Sequence, residues 1–121
     1  MKVNGKEIKW EDAPKGYFPV SGVKQHVLWK DEKTGANLTL LTAPKGFVLR
    51  DWPHYHPNAN SLEIGLSGEA EINGTRITVS EDNITFAFIP KGKTHGKGEM
   101  KVIRDWIQLR YHDGPSTQIK K

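Results

Sequence analysis

No long stretch of this sequence keeps a helical period; instead, clusters of turn-forming residues recur at short intervals between runs of alternating apolar and polar side chains. That pattern confines the chain to an all-β barrel or sandwich, because period-two alternation buries one face of a strand and gives a helix no coherent apolar side. Strands are expected over residues 23–30, 36–42, 47–50, 62–66, 68–72, 75–79, 84–89 and 100–111. The turns between them have identifiable chemistry, among them residues 31–35, Pro44-Lys45-Gly46, residues 80–83, and Asn73-Gly74 with its type I′ hairpin signature. Residues 1–22 differ, since Pro14, Gly16, Pro19 and Gly22 break any helix or long strand and leave only a short hairpin edge around Asn4-Gly5. The polar end of the chain is expected to fray. The 121 residues thus divide into an N-terminal arm (1–22), one β-barrel domain (23–113) and a C-terminal tail (114–121).

Composition narrows the chemistry. With no cysteine, disulfides, thiolate metal sites and cysteine nucleophiles are excluded, so any metal must be held by nitrogen and oxygen. The 18 Lys+Arg against 14 Asp+Glu give a net charge of +4, enough to attract an anion, yet there is no dense basic patch interleaved with aromatics, so nucleic acid is not an expected partner. No segment approaches the ~18 apolar residues of a membrane span, and the first residues lack the apolar core of a secretion signal. A cytoplasmic protein without a membrane partner is expected. Lys91, Lys93, Lys97, Lys101 and Arg104 gather around His95 in sequence, either as solvated turn ends or as a positive rim that steers an anionic substrate.

The chemistry concentrates in His54-Tyr55-His56. Side chains two apart on a strand share a face, roughly 6.6 Å apart, so both imidazoles can approach one ion. A third ligand has to come from elsewhere, and the tight turn Pro90-Lys91-Gly92-Lys93-Thr94-His95 supplies His95. The other two histidines are expected outside the site: His26 lies on an early strand with no motif around it, and His112 precedes Asp113-Gly114-Pro115, where a turn should carry it away from the barrel. Glu63, on the strand that follows, is placed to orient His56 or act as a general base, or else to pair with a lysine at the rim.

These two segments resemble the motifs of the cupins, small β-barrel proteins with an HxH first motif and a PxGxxH second motif. Pro90, Gly92 and His95 match the second motif at each defined position. In the first motif, counting back from Gly68 puts Ser61 where the usual carboxylate ligand stands. The phrase from Val27 to Ala36, followed by Pro44-Lys45-Gly46, is similar to cupins related to the ChrR anti-sigma domain and to acetylacetone-cleaving dioxygenases. The resemblance implies a double-stranded β-helix (jelly-roll barrel) holding one divalent transition metal on His54, His56 and His95. Iron(II) heads the candidates, followed by zinc, nickel, manganese and copper. It further implies a dioxygenase acting on a small enolisable dicarbonyl or related acid; Glu63 is the candidate catalytic residue by its strand parity, and a homodimer is expected partly from the resemblance and partly from the exposed edge strands of an open sandwich. The alternatives are a non-redox metal cupin (isomerase, cyclase, lyase or decarboxylase) and a non-catalytic metal or ligand sensor.

Trp52, Ser61, Phe88, Arg104 and Trp106 are expected to line the substrate space. Trp52 has the parity of His54 and His56, and Phe86 and Phe88 share a face of the strand leading to His95, with core packing as the competing role. On the last strand Arg104, Trp106, Gln108 and Arg110 form one face, and Ile107, Leu109 and Tyr111 the other. The second face is expected to be core, although alternation alone leaves open which of the two lines the cavity.

Overall fold

The computed structural model describes residues 1–96 and 98–121, and they form strands and turns with no helix. The arm begins with a hairpin of β1 (Lys2–Val3) and β2 (Lys6–Glu7), turned by Asn4-Gly5 with φ of 52° and 79°, followed by β3 (Glu11–Asp12). β4 (Lys24–Lys30), β5 (Asn37–Ala43) and β6 (Val48–Asp51) come next, and β7 (His54–Tyr55) covers the start of the histidine pair. β8 (Ser61–Ile72) runs on through the two segments expected to be separate, and Asn73-Gly74 (φ 50° and 82°) turns it into β9 (Thr75–Val79). β10 (Thr85–Ile89) leads to the second motif, β11 (Gly98–His112) is the longest strand, and β12 (Ile119–Lys120) ends the chain.

All pairings are antiparallel. The main sheet has the order β10-β8-β11-β5-β4-β3, with β6 also on β11 and β9 also on β8. Among the described residues the two end strands of this order do not pair with each other, so the sheet is open. Ala43, Ala70, Val79, Val102 and Trp106 form its buried centre, with Phe47, Ile72 and Met100 packed against them. No helix is long and apolar enough to cross a membrane.

Two further findings depart from the sequence expectations. The tail is not frayed: β12 pairs with β7, Ile119 opposite Tyr55 and Lys120 opposite His54. The last strand also does not keep one parity. Its register against β8 shifts between Val102 and Arg104, again between Arg104 and Ile107, and again before Gln108. These bulges turn Arg104 to solvent while Val102 and Trp106 stay buried. Gly68 makes the close approach possible, since a Cβ there (φ 124°) would stand 2.6 Å from the Asp105 carbonyl oxygen.

Candidate metal centre

The two histidine motifs are joined through their backbones. His54 N–H donates to the His95 carbonyl at 2.9 Å, His95 N–H donates back to His54 at 2.8 Å, and Gly92 N–H donates to the His56 carbonyl at 2.9 Å. The Pro-Gly turn therefore docks onto the His-Tyr-His segment as a rigid neighbour. Gly96 permits this: with φ of 95°, it lies where a Cβ would stand 2.5 Å from the Trp52 carbonyl oxygen and 2.9 Å from His54 Nδ1.

This arrangement gathers the three rings, with centroids 5.2 Å apart for His54 and His56, 4.2 Å for His54 and His95, and 5.2 Å for His56 and His95. One nitrogen from each lies within 4.8 Å of the other two. A carbonyl can only accept, so His54 Nδ1–H donates to Trp52 O at 2.9 Å and His56 Nδ1–H to Thr117 O at 3.1 Å. In both rings this fixes the tautomer that leaves Nε2 with its lone pair available. His95 Nε2 is buried and has no hydrogen-bond partner among the described residues. Burial lowers the pKa of His56, and burial together with the other two histidines lowers that of His95 to about 4. Imidazoles that each keep a nitrogen free of protein hydrogen bonds, gathered this closely, are the donor set that a divalent transition metal requires, so the residues fit such an ion.

The three rings face a cavity of about 190 Å³, lined by the apolar Phe47, Leu49, Met100 and Trp106 as well as by polar groups. Glu63 lines it, its pKa raised by burial and held back by Arg110. Asp51 does too, its carboxylate 3.9 Å from His54 Nδ1 and its pKa likewise raised by burial, with His54 opposing.

The other expected lining residues divide. Trp106 is buried and faces the cavity. Trp52 does not: Pro53 interrupts the strand, so its parity with the histidines is lost, and its ring lies under the Lys120 ammonium, 3.8 Å from the ring centroid. Only its carbonyl serves the site. Phe88 faces outward and is 56% exposed, because it pairs with Leu62, which points opposite to Glu63. Phe86, at 66% exposed, shares that face, so neither phenylalanine packs in the core. Arg104 donates to the Gly68 carbonyl on the outside of the bulge. Lys91, Lys93 and Lys101 do not line the cavity either, and Lys97 lies outside the described residues. The basic cluster is therefore solvated turn and strand surface where it is described. Ser61 is buried behind the site, with its hydroxyl 3.0 Å from His112 Nε2. On β11 the polar face of Trp106, Gln108 and Arg110 lines the cavity, and the apolar face of Ile107, Leu109 and Tyr111 turns out.

His112 corrects a further expectation. It is fully buried, its ring centroid lies 4.9 Å from that of His56, and Ser116 Oγ stands 2.6 Å from its Nδ1. Pairing continues to the end of β11, His112 opposite Ser61 and Asn37, and the turn starts only at Asp113, which Asn60 holds through its backbone N–H (2.7 Å) and side-chain amide (2.8 Å). His26, by contrast, lies away from the site, its Nδ1 2.9 Å from the Lys9 carbonyl. Sequence reasoning also missed Tyr17, Phe18, Asp51, Gln108, Arg110 and Gln118. Gln108 and Arg110 had a signal, the shared parity with Trp106; Tyr17 and Gln118 come from segments without strand patterning and meet through Gln118 Nε2–H donating to the Tyr17 carbonyl at 2.6 Å.

No family model matches the sequence, and a search of curated proteins finds no relative. Solved structures do match in fold. A candidate dioxygenase from Nostoc punctiforme superposes with a TM-score of 0.68 at 18% identity over 94% of this chain, which spans 38% of that one. A cupin-2 domain from Rhodospirillum rubrum gives 0.62 at 11% identity, covering 100% of this chain and 78% of that one. An acetylacetone dioxygenase from Acinetobacter johnsonii gives 0.59 at 14% identity, with 99% and 88% covered. Structures of the same fold also include a DMSP lyase and the anti-sigma ChrR. Similarity of this kind reports architecture rather than reaction, and the architecture is that of a cupin.

Proposed function

We propose that the protein is a metal-dependent cupin enzyme, a three-histidine iron(II) dioxygenase acting in the cytoplasm on a small enolisable dicarbonyl or related acid and assembled as a homodimer. The observation that carries this reading is the convergence of three imidazoles, His54 and His56 each held through Nδ1 by a carbonyl, on a cavity that the half-buried Glu63 carboxylate also lines. When bound by His54, His56 and His95, an iron(II) ion would supply Lewis acidity and redox chemistry with dioxygen. Glu63 would take the proton from the carbon between the two carbonyls, converting the diketone to its enolate. The apolar wall of Phe47, Met100 and Trp106 would exclude water around it.

The test is elemental analysis of protein purified without added metal, coupled to oxygen uptake on a panel of β-diketones and keto acids. We expect one transition metal per chain and substrate-dependent oxygen consumption. His54→Ala, His56→Ala and His95→Ala should each abolish stoichiometric metal while His26→Ala retains it; three histidine variants that bind normally would overturn the site. A second reading, a non-redox metal cupin such as an isomerase or lyase, draws support from Asp51, which puts a second carboxylate at the cavity beside Glu63. Bound metal with no oxygen uptake on any substrate would favour it.

A further inference from the structure

Arg110 is 7% exposed, on the inward face of β11 beside Gln108. Its Nε is buried with no hydrogen-bond partner among the described residues, and none of their ion pairs includes it. The guanidinium lies 5.6 Å from the ring centroid of Tyr17 and lines both the histidine cavity and an adjoining cavity of about 500 Å³. A guanidinium stays charged at every ordinary pH, and a charge taken out of water costs several kcal/mol, of order, unless an anion and hydrogen bonds complete it. Glu63 lines the same cavity, yet none of the ion pairs of the described residues includes it either. Arg110 thus presents an unused donor fork to the space in which a substrate would lie.

We propose that Arg110 anchors a carboxylate of the substrate, so that a small dicarbonyl acid lies with its chelating end toward the three histidines and its carboxylate on the guanidinium; this rests on the reading that those histidines hold a metal. A planar fork of N–H donors matches a carboxylate through two parallel hydrogen bonds, which a neutral diketone cannot supply. The histidine cavity is smaller than the ~300–1,000 Å³ of drug-sized sites, which suits a short acid. Glu63 and Arg110 then divide the work: the carboxylate accepts a proton and the guanidinium fixes the direction from which the substrate enters.

The experiment is titration calorimetry with 2,4-dioxopentanoate and its methyl ester, on zinc-loaded and on metal-free protein, with zinc content measured separately. We expect the parent to bind the acid at least about tenfold more tightly than the ester, a difference of about 1.4 kcal/mol, and to keep that preference at weaker affinity without metal. Arg110→Gln should bring the acid-to-ester ratio close to one at unchanged zinc content and melting temperature. Arg110→Lys, which keeps the charge and loses the fork, should give an intermediate ratio and serves as the readout if the glutamine variant does not fold. A ratio near one in the parent, no detectable binding of either compound, or a preference retained in the variant overturns the anchor. Failure of the metal reading shows separately, as protein that takes up no zinc while its metal-free form still prefers the acid.

Discussion

Glu63 extends from β8 into the cavity, where burial lifts its pKa and Arg110 opposes the rise. A carboxylate lifted toward neutrality is a better-matched base for a carbon-bound proton. Glu63→Gln keeps the shape and removes the charge, so metal content should remain at the parent value while turnover falls about 10–100-fold. Loss of metal as complete as in His95→Ala would instead make Glu63 a ligand. His112 carries a pH prediction. Burial first, and then Arg110, lowers its pKa from 6.5 to about 3, so the folded protein leaves it neutral where the unfolded chain takes up a proton. Stability from this group is therefore complete above pH 6.5 and declines as pH falls toward 3, by up to about 1.4 kcal/mol per pH unit. Glu63 and Asp51, with raised values, act in the opposite sense. Comparing metal-free parent with His112→Asn isolates the histidine: between pH 6.5 and 4.5 the parent should lose more stability than the variant, and parallel melting curves would contradict the assignment. Of these residues, His54, His56 and His95 were legible in the sequence because short motifs carry them. His112 was not, because its place depends on how far β11 pairs with β5 and β8, whereas Arg110 had the parity it shares with Trp106 as its one signal.

At the scale of elements, the turns were the legible part: Asn4-Gly5 and Asn73-Gly74 adopt the left-handed backbone their chemistry demands. The bulges of β11 were not legible, since a register shift is a relation between two strands and leaves no local pattern in either. The role of the tail was hidden for the same reason. Residues 117–121 look like a polar end, yet Thr117 supplies the carbonyl that holds His56, and β12 lies beside β7. Truncation after Ser116 should therefore weaken metal binding about 10–100-fold, the usual cost of losing the partner that orients a ligating histidine. Melting of the truncated, metal-free chain monitors folding, and unchanged metal affinity would show that β12 is dispensable. Gly96→Ala tests the docking of the two motifs. It places a Cβ against the Trp52 carbonyl at positive φ, so it should cost about 1–3 kcal/mol of stability and lower metal occupancy with it.

At the scale of the whole molecule, the cavity is lined by one face of the sheet, and the opposite face carries an apolar surface. Through their pairings, Phe88, Leu62, Tyr111, Leu38 and Trp29 form one row across β10, β8, β11, β5 and β4, and Phe86, Ile64, Leu109 and Leu40 form the next. The arm covers part of it, where the Lys9 carbonyl meets His26 beside Leu40. The rest is open: Phe86 is 66% exposed, Phe88 56%, Trp29 49% and Tyr111 38%. Contiguous apolar surface of this kind, next to an edge strand such as β10, is where a monomer would associate. A second copy related by a twofold axis would cover it with the same surface, which is the simplest closed arrangement. We therefore expect a dimer by sedimentation at protein concentrations of tens of micromolar, about the range in which associations of ~8 kcal/mol are largely complete. Phe86→Lys with Phe88→Lys should yield a monomer that keeps its metal, because both side chains point away from the histidines. A parent that sediments as a monomer, or a double variant that remains dimeric, would rule this face out as the interface.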